Sequence, residues 1–243
     1  MARQHRPVVV IPTYDNPTTI EAVAHGVRAR GLDVVVVDDG SGPAAQGALA
    51  RLEAEGVRVL RRPANGGKGA AVKTGLRWAL QAGYTHGLQV DADGQHSLGD
   101  LPRLVAASRD APDALVLSVP RYDESAPRVR RVARRLAIFW VRVATLLDRG
   151  RVTDPMCGYR VYPLPATVAL LDGSGDRMDF DPEIAVRLVW RGTPVVEVPT
   201  RVRYFTAEEG GVSHYRALSD NVLVSVMYAR LCILRYTGLW RLL

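Results

Sequence analysis

Lysine is almost missing from this sequence. Only Lys68 and Lys73 stand among 32 lysine and arginine residues, so the net charge of +7 is carried by arginine. Its planar guanidinium stays protonated and grips phosphate or carboxylate oxygens in pairs. Cysteine is as scarce. Cys157 and Cys232 lie far apart, which excludes a disulfide framework and fits a reducing compartment. No Cys/His cluster has zinc spacing. No charge-free apolar run reaches the roughly eighteen residues of a membrane span. The opening MARQHRP is basic but carries no apolar stretch of signal-peptide length. Repeats, low-complexity tracts and linkers are lacking as well. At 243 residues and 47% hydrophobic content, the chain has ample length to bury a core, and disorder is not expected.

What is present alternates. PVVVIP (7–12), DVVVVDDGS (33–41), VRVLR (57–61), THGLQVDAD (85–93) and ALVLSVP (114–120) read as strands. Between them, 17–31, 43–55, 68–83 and 98–109 read as helices, with Pro17 as the first helical residue of its segment. Such alternation predicts an α/β fold with a mostly parallel sheet flanked by helices. Ligands on these sheets lie beyond the carboxyl ends of the strands. The polar segments PTYDN, DDGS, RRPANGGKG and DADGQH all fall there. After Pro120 the rhythm changes. Residues 128–149 predict a basic amphipathic helix with an apolar stripe of Val129, Val132, Ala133, Leu136, Trp140, Val143 and Leu147. TDPMCGYRVYP (153–163) leads into a short strand, 180–192 reads as a helix, PVVEVP (194–199) as a strand and 219–236 as a final apolar helix.

DADGQH carries the most chemistry. Asp91 and Asp93, one residue apart, repel each other unless something positive lies between them. With Gln95 adding a carbonyl oxygen, they suit a hard divalent cation, Mg²⁺ or Mn²⁺, that spends its other positions on water and a substrate diphosphate. Asp38 and Asp39 end another strand, where carboxylates accept hydrogen bonds from a base or ribose, or else close an Asx-turn. NGGKG precedes a helix. Its glycines allow a close ligand approach and Lys68 can reach a phosphate, although the P-loop pattern is absent.

These segments occur together in one order. VVVIPTYDNPTTI, VVVVDDGS, NGGKGAAVKTG, DADGQH, DPMCGYRVY and FDPEI resemble the family 2 glycosyltransferases over roughly residues 7–215, nearest the polyprenyl- and dolichyl-phosphate mannosyl- or glucosyltransferases. The resemblance implies a GT-A fold, that is, a Rossmann-like, mostly parallel sheet. It also implies a nucleoside diphosphate sugar donor, a divalent metal and inverting transfer. On this reading 1–215 form the catalytic domain, with 1–120 binding the nucleotide-sugar and 121–215 the acceptor, and 216–243 form a C-terminal apolar helix. Pro12, Thr13, Tyr14, Asp15, Asp38, Asp39, Gly40, Asp91 and Ala92 would line the donor, and Lys68 would lie beside its nucleotide end. Asp91, Asp93 and Gln95 would hold the metal. Arg121 would lie close to a phosphate of donor or acceptor. Arg131, Arg134, Arg135, Arg203 and Ser213 would face the acceptor phosphate. Asp15 and Asn16 stand where lipid-phosphate members usually have Asn-Glu, and His214 stands where their late loop has lysine, with Arg216 nearby. The transmembrane tails of some members, and the Q-x-x-R-W motif of processive synthases, have no counterpart here.

A phosphate acceptor is already a nucleophile, whereas a hydroxyl acceptor needs a base. Asp181 and Glu183 are the candidates, with Asp179 less well matched; Asp181 would alternatively cap the helix begun by Pro182. From Arg121 to Arg151 nine arginines stand against three acids. Without an aromatic stacking platform this cluster points to lipid headgroups or a phosphorylated substrate rather than nucleic acid. The final helix, with Tyr236 and Trp240, would lie in a membrane interface, or pack on the core or in a homo-oligomer. The expected enzyme is cytoplasmic and peripheral on the inner face of the cell membrane, and moves one sugar to a polyprenyl phosphate or other lipid-linked acceptor. The rivals are transfer to a hydroxyl of a glycolipid or an acyl or polyene chain, a sugar-1-phosphate nucleotidyltransferase, and a non-catalytic nucleotide-sugar-binding module.

Overall fold

The computed structural model describes residues 4–121, 128–148, 152–202 and 217–242. Seven strands form one sheet: β1 (Pro7–Thr13), β2 (Asp33–Asp38), β3 (Arg58–Arg61), β4 (His86–Gln89), β5 (Leu115–Arg121), β6 (Arg160–Pro163) and β7 (Val195–Arg201). Their order is β3-β2-β1-β4-β6-β5-β7. β6 runs antiparallel to both neighbours, β4 and β5, while the other pairings are parallel. Alternation along the chain therefore predicts the strands correctly but not their adjacency. β4 and β5 are parted by a reversed strand that follows both of them in the chain, and the reversal brings the start of β6 to the edge where β4 ends.

Period-two burial divides the core. Val8, Val10, Val35 and Val37 face one side, with α3 (Lys68–Gln81) and α7 (Phe180–Trp190) supplying Leu76, Ile184 and Leu188. Val9, Ile11, Val34 and Val36 face the other, against Val23 of α1 (Ile20–Arg28), Leu49 of α2 (Pro43–Ala54) and Leu104 of α4 (Leu101–Asp110). A short α6 (Leu164–Val168) follows β6, and α5 (Arg128–Ala144) packs against α8 (Ala217–Thr237).

Three expectations change. α1 starts at Ile20, not at Pro17, because Asn16 Oδ1 accepts hydrogen bonds from the Thr19 amide at 3.3 Å and the Thr19 hydroxyl at 2.9 Å, closing the chain into a turn first. α7 starts at Phe180, so Asp181 lies inside the helix and does not cap it. On α5 the buried side is Ala137, Val141 and Ala144, with Trp140 stacked on Tyr228 of α8, whereas Leu136 and Leu147 of the predicted stripe are exposed. Apolar residues cover two faces of that helix, and α8 selects one. Trp240 packs against Trp190 and under the Arg235 guanidinium. No described helix is long and apolar enough to cross a membrane.

Candidate active site

The acids of DADGQH follow β4, and the lysine of NGGKG begins α3 beside them. Lys68 Nζ lies 2.9 Å from Asp91 Oδ1 and 3.0 Å from Oδ2, but only Oδ2 is engaged in hydrogen-bond geometry. The same ammonium lies 3.1 Å from Asp181 Oδ2 on α7. Lys68 thus sits between two carboxylates. Burial opposes its charge, yet Asp181 and Asp91 hold its pKa above the ordinary lysine value. Burial likewise opposes the charge on Asp91, but the Lys68 ammonium and His96, whose Nε2 is 3.8 Å away, hold that carboxyl well below the usual range. Asp93 moves the other way. Burial and then the charge of Asp91 raise it, while its Oδ1 accepts the Gln95 amide at 3.0 Å.

This donor set fits a hard divalent ion. Two carboxylates repel across one residue, and one of them presents a buried oxygen that no hydrogen bond engages. Among the described residues no three His, Cys, Asp or Glu side chains gather as a cage.

Asp181 is clamped. Besides Lys68, its Oδ2 accepts from Gln89 Nε2 at 3.4 Å, and its Oδ1 accepts from the Tyr162 hydroxyl at 3.3 Å. Tyr162 also lies 3.0 Å from Gln89 Oε1, and burial pushes its own pKa well above the usual phenol value. Arg160, fully buried, donates to the Asp181 carbonyl at 2.7 Å, and to the Pro155 and Cys157 carbonyls. Gly158 closes the group. A Cβ there would lie 2.6 Å from Lys68 Nζ and 2.9 Å from both Asp91 Oδ2 and Gln89 Nε2. Gln89, Gly158, Arg160 and Tyr162 are site residues that the sequence reading overlooked. The available signal was a glutamine inside an apolar strand, and Arg160 and Tyr162 two apart on one face of another.

Lys68, expected beside the nucleotide end of a donor, pairs with Asp91 and Asp181. Glu183, the other candidate base, is fully buried, bonded to Arg187 Nε at 2.8 Å and to the Gly175 amide at 3.1 Å, and paired with Arg230. Such a charge is tolerable in the core only with these partners.

The loops expected to line a donor are held by the chain's own bonds. Asp39 Oδ1 accepts from Arg62 Nη1 at 2.6 Å and from the Gly66 amide at 3.2 Å, and Oδ2 accepts from the Gly67 amide at 2.8 Å. The Gly66 and Gly67 amides of NGGKG are thereby spent on Asp39 and are not left open for a phosphate. Asp38 closes an Asx-turn onto the Ser41 amide at 2.9 Å. Asp15, at φ 45°, accepts from the Gly42 amide at 2.7 Å. The negative charge of Asp15 and a bond to it raise the neighbouring Tyr14 phenol. Gly40 is required twice over: φ is 78°, and a Cβ would lie 2.7 Å from the Ala64 carbonyl carbon. Pro12 and Thr13 are buried at the end of β1, with Thr13 Oγ1 lacking a hydrogen bond. Asn16 Nδ2 donates to the Ala92 carbonyl at 3.1 Å, tying this loop to DADGQH.

Of the predicted phosphate-facing residues, Arg134 instead pairs at 2.9 Å with Asp154, a carboxylate only 1% exposed that burial raises despite its partner. Arg135 is exposed. Arg121 ends β5 opposite Arg201 in the parallel register. The side chains of Arg121 and Arg131, and all of Arg203, Ser213, His214 and Arg216, lie outside the described residues.

A strand-end carboxylate cluster on this sheet can hold an anionic diphosphate through a cation, and known proteins agree with that class. The family model for glycosyl transferase family 2 matches residues 8–167. The chain belongs to glycosyl transferase family 2. It is 33% identical over 225 residues to the polyprenol monophosphomannose synthase of Mycolicibacterium smegmatis, covering 86% of this chain and 80% of that one. It is 32% identical to the undecaprenyl-phosphate mannosyltransferase of Micrococcus luteus, covering 80% and 82%. The fold is GT-A, shared with glucosyl-3-phosphoglycerate synthase from Mycobacterium tuberculosis, solved with Mn²⁺, UDP and phosphoglyceric acid (TM-score 0.70, 21% identity, 94% of this chain and 78% of that one). A mannosyltransferase from Pyrobaculum calidifontis, solved with GDP-Man and Mn²⁺, is similar at a TM-score of 0.57 and 16% identity, over 93% and 73% of the two chains.

Proposed function

We propose that this family 2 glycosyltransferase moves one sugar, with inversion, from a nucleoside diphosphate sugar to a polyprenyl phosphate or another lipid-linked phosphate acceptor. The observation that carries the choice of acceptor is the clamp on Asp181. Lys68, Gln89 and Tyr162 already donate to the carboxylate placed best to act as a base. Those contacts occupy most of the lone-pair sites that a substrate hydroxyl would need, and a phosphate nucleophile does not require a base. The relatives named for polyprenol monophosphomannose and undecaprenyl-phosphate mannose support the same reading.

Asp91, Asp93 and Gln95 would hold Mg²⁺ or Mn²⁺. When bound, such an ion supplies positive charge against the diphosphate leaving group. Pro12, Thr13, Tyr14, Asp15 and Ala92 would line the donor around it, with Asp38, Asp39 and Gly40 shaping that wall through the loops they hold. Arg121, Arg131, Arg135, Arg203 and Ser213 would bind donor or acceptor phosphate, and Arg134 would join them only by leaving Asp154.

We further propose that the protein works at a membrane surface. Leu136, Phe139, Leu146 and Leu147, on or just after α5, are 47–72% exposed. Val222, Val226 and Ile233 of the adjoining α8 are 56–63% exposed. Apolar side chains beside an arginine run suit an anionic lipid interface.

The test is a donor screen with Mg²⁺ and Mn²⁺ that follows release of nucleoside diphosphate with and without polyprenyl phosphate. Release that depends on both metal and lipid phosphate is expected. Asp93→Ala should abolish metal-dependent donor binding, measured by calorimetry. Turnover untouched by chelation would refute the metal, and turnover with hydroxyl acceptors alone would refute the phosphate.

A further inference from the structure

The cation that meets the acids of this site belongs to the chain itself. Lys68 Nζ lies within 3.1 Å of oxygens from both Asp91 and Asp181, in a space that exists because residue 158 is glycine. We propose that Lys68 is a resident counter-ion that competes with the divalent metal for Asp91, so that metal entry requires Asp91 to give up the ammonium, which stays with Asp181. This inference rests on the metal reading above.

Three observations support it. Both oxygens of Asp91, the expected metal ligand, lie within 3.0 Å of Nζ, so a divalent ion bound at either one would meet the ammonium's charge at close range. The two side chains keep 20% and 23% of their exposure, so an ion from solvent can reach the pair. The second carboxylate gives the displaced ammonium a place to remain charged, and an ammonium has three donors, so two are then available to an anionic donor. Metal and nucleotide-sugar binding would support each other for that reason. Lys68 is a positioning residue in this account: it holds the acids in register until the substrate's own cation arrives.

The chain has only two lysines, which makes the exchange directly visible. Lys73 is the internal control, since its ammonium bonds to the Ser174 carbonyl at 2.9 Å and pairs with Asp176 at 2.6 Å. In protein labelled with ¹³C and ¹⁵N lysine, and assigned through Lys73→Arg, saturating Mg²⁺ should shift the Lys68 side-chain resonance and leave that of Lys73 in place. Mn²⁺ titrations read by electron paramagnetic resonance, without donor, should show Lys68→Met binding about tenfold more tightly than the wild type, as expected for removing a competing charge at contact distance. Lys68→Arg, which keeps the charge, should stay near the wild type. A stationary Lys68 signal while metal binds, or Lys68→Met binding Mn²⁺ no better than the wild type, overturns this inference and leaves the metal reading intact. If neither the wild type nor Lys68→Met binds Mn²⁺, the metal reading falls and this inference with it.

Discussion

Asp181 pairs with Lys68 and accepts from Gln89 and Tyr162, all at 3.1–3.4 Å, contacts that hold the carboxylate in place and leave few lone pairs for a substrate hydroxyl. Asp181→Asn is therefore expected to lower kcat toward a lipid phosphate by less than about tenfold, whereas loss of a general base costs on the order of 10²–10⁴. Steady-state kinetics with both acceptor types would decide it. Asp39 does different work. Its three bonds hold Arg62, Gly66 and Gly67, so Asp39→Ala should destabilise the fold by about 1–3 kcal/mol through unpaired polar groups. A lower urea midpoint with an unchanged slope would show this. Asp91 and Asp93 were legible because two acids stand one residue apart at a strand end, where ligands of such sheets lie, and Asp181 because FDPEI resembles a family motif. The partners of Asp39 were not legible: DDGS looks the same whether its second acid faces a base or a glycine loop.

Among the elements, β6 and α7 decide the site. β6 enters the sheet reversed, so Gly158 and Arg160, at its start, reach the edge where β4 ends. α7 presents Asp181 to Lys68 and, two residues later, buries Glu183 between Arg187 and Arg230. Arg187 is only 3% exposed, so Glu183→Gln leaves a buried guanidinium without its counter-charge. That should cost roughly 3–5 kcal/mol, read as a fall in urea midpoint. A milder effect from Arg230→Met is expected, since Glu183 keeps Arg187. Hydropathy showed α5, α7 and α8 as helices. It did not show which side of α5 meets α8, because two of its faces are apolar.

For the molecule as a whole, the arginine-rich stretch and the exposed residues of α5 and α8 predict binding to anionic vesicles. Flotation with phosphatidylglycerol liposomes should carry the protein upward at low salt and less so at high salt. Replacing Phe139, Val226 and Ile233 with serine should reduce flotation while leaving the circular dichroism spectrum unchanged. Retention of the wild type in the soluble fraction at low salt would remove the membrane proposal. A shift in sedimentation with no flotation would favour a second copy on that face.

The α/β class, the strand ends and the acids of DADGQH could be read from residues alone, because periodicity and turn chemistry act over a few positions. The meeting of Lys68 with Asp91 and of Gln89 with Asp181 spans 23 and 92 residues. Only the folded sheet sets such contacts, since hydrogen bonds and charge pairing depend on distance through space and not along the chain. For that reason the acids are plain in the sequence, while the identity of the cation beside them emerges only once the chain has folded.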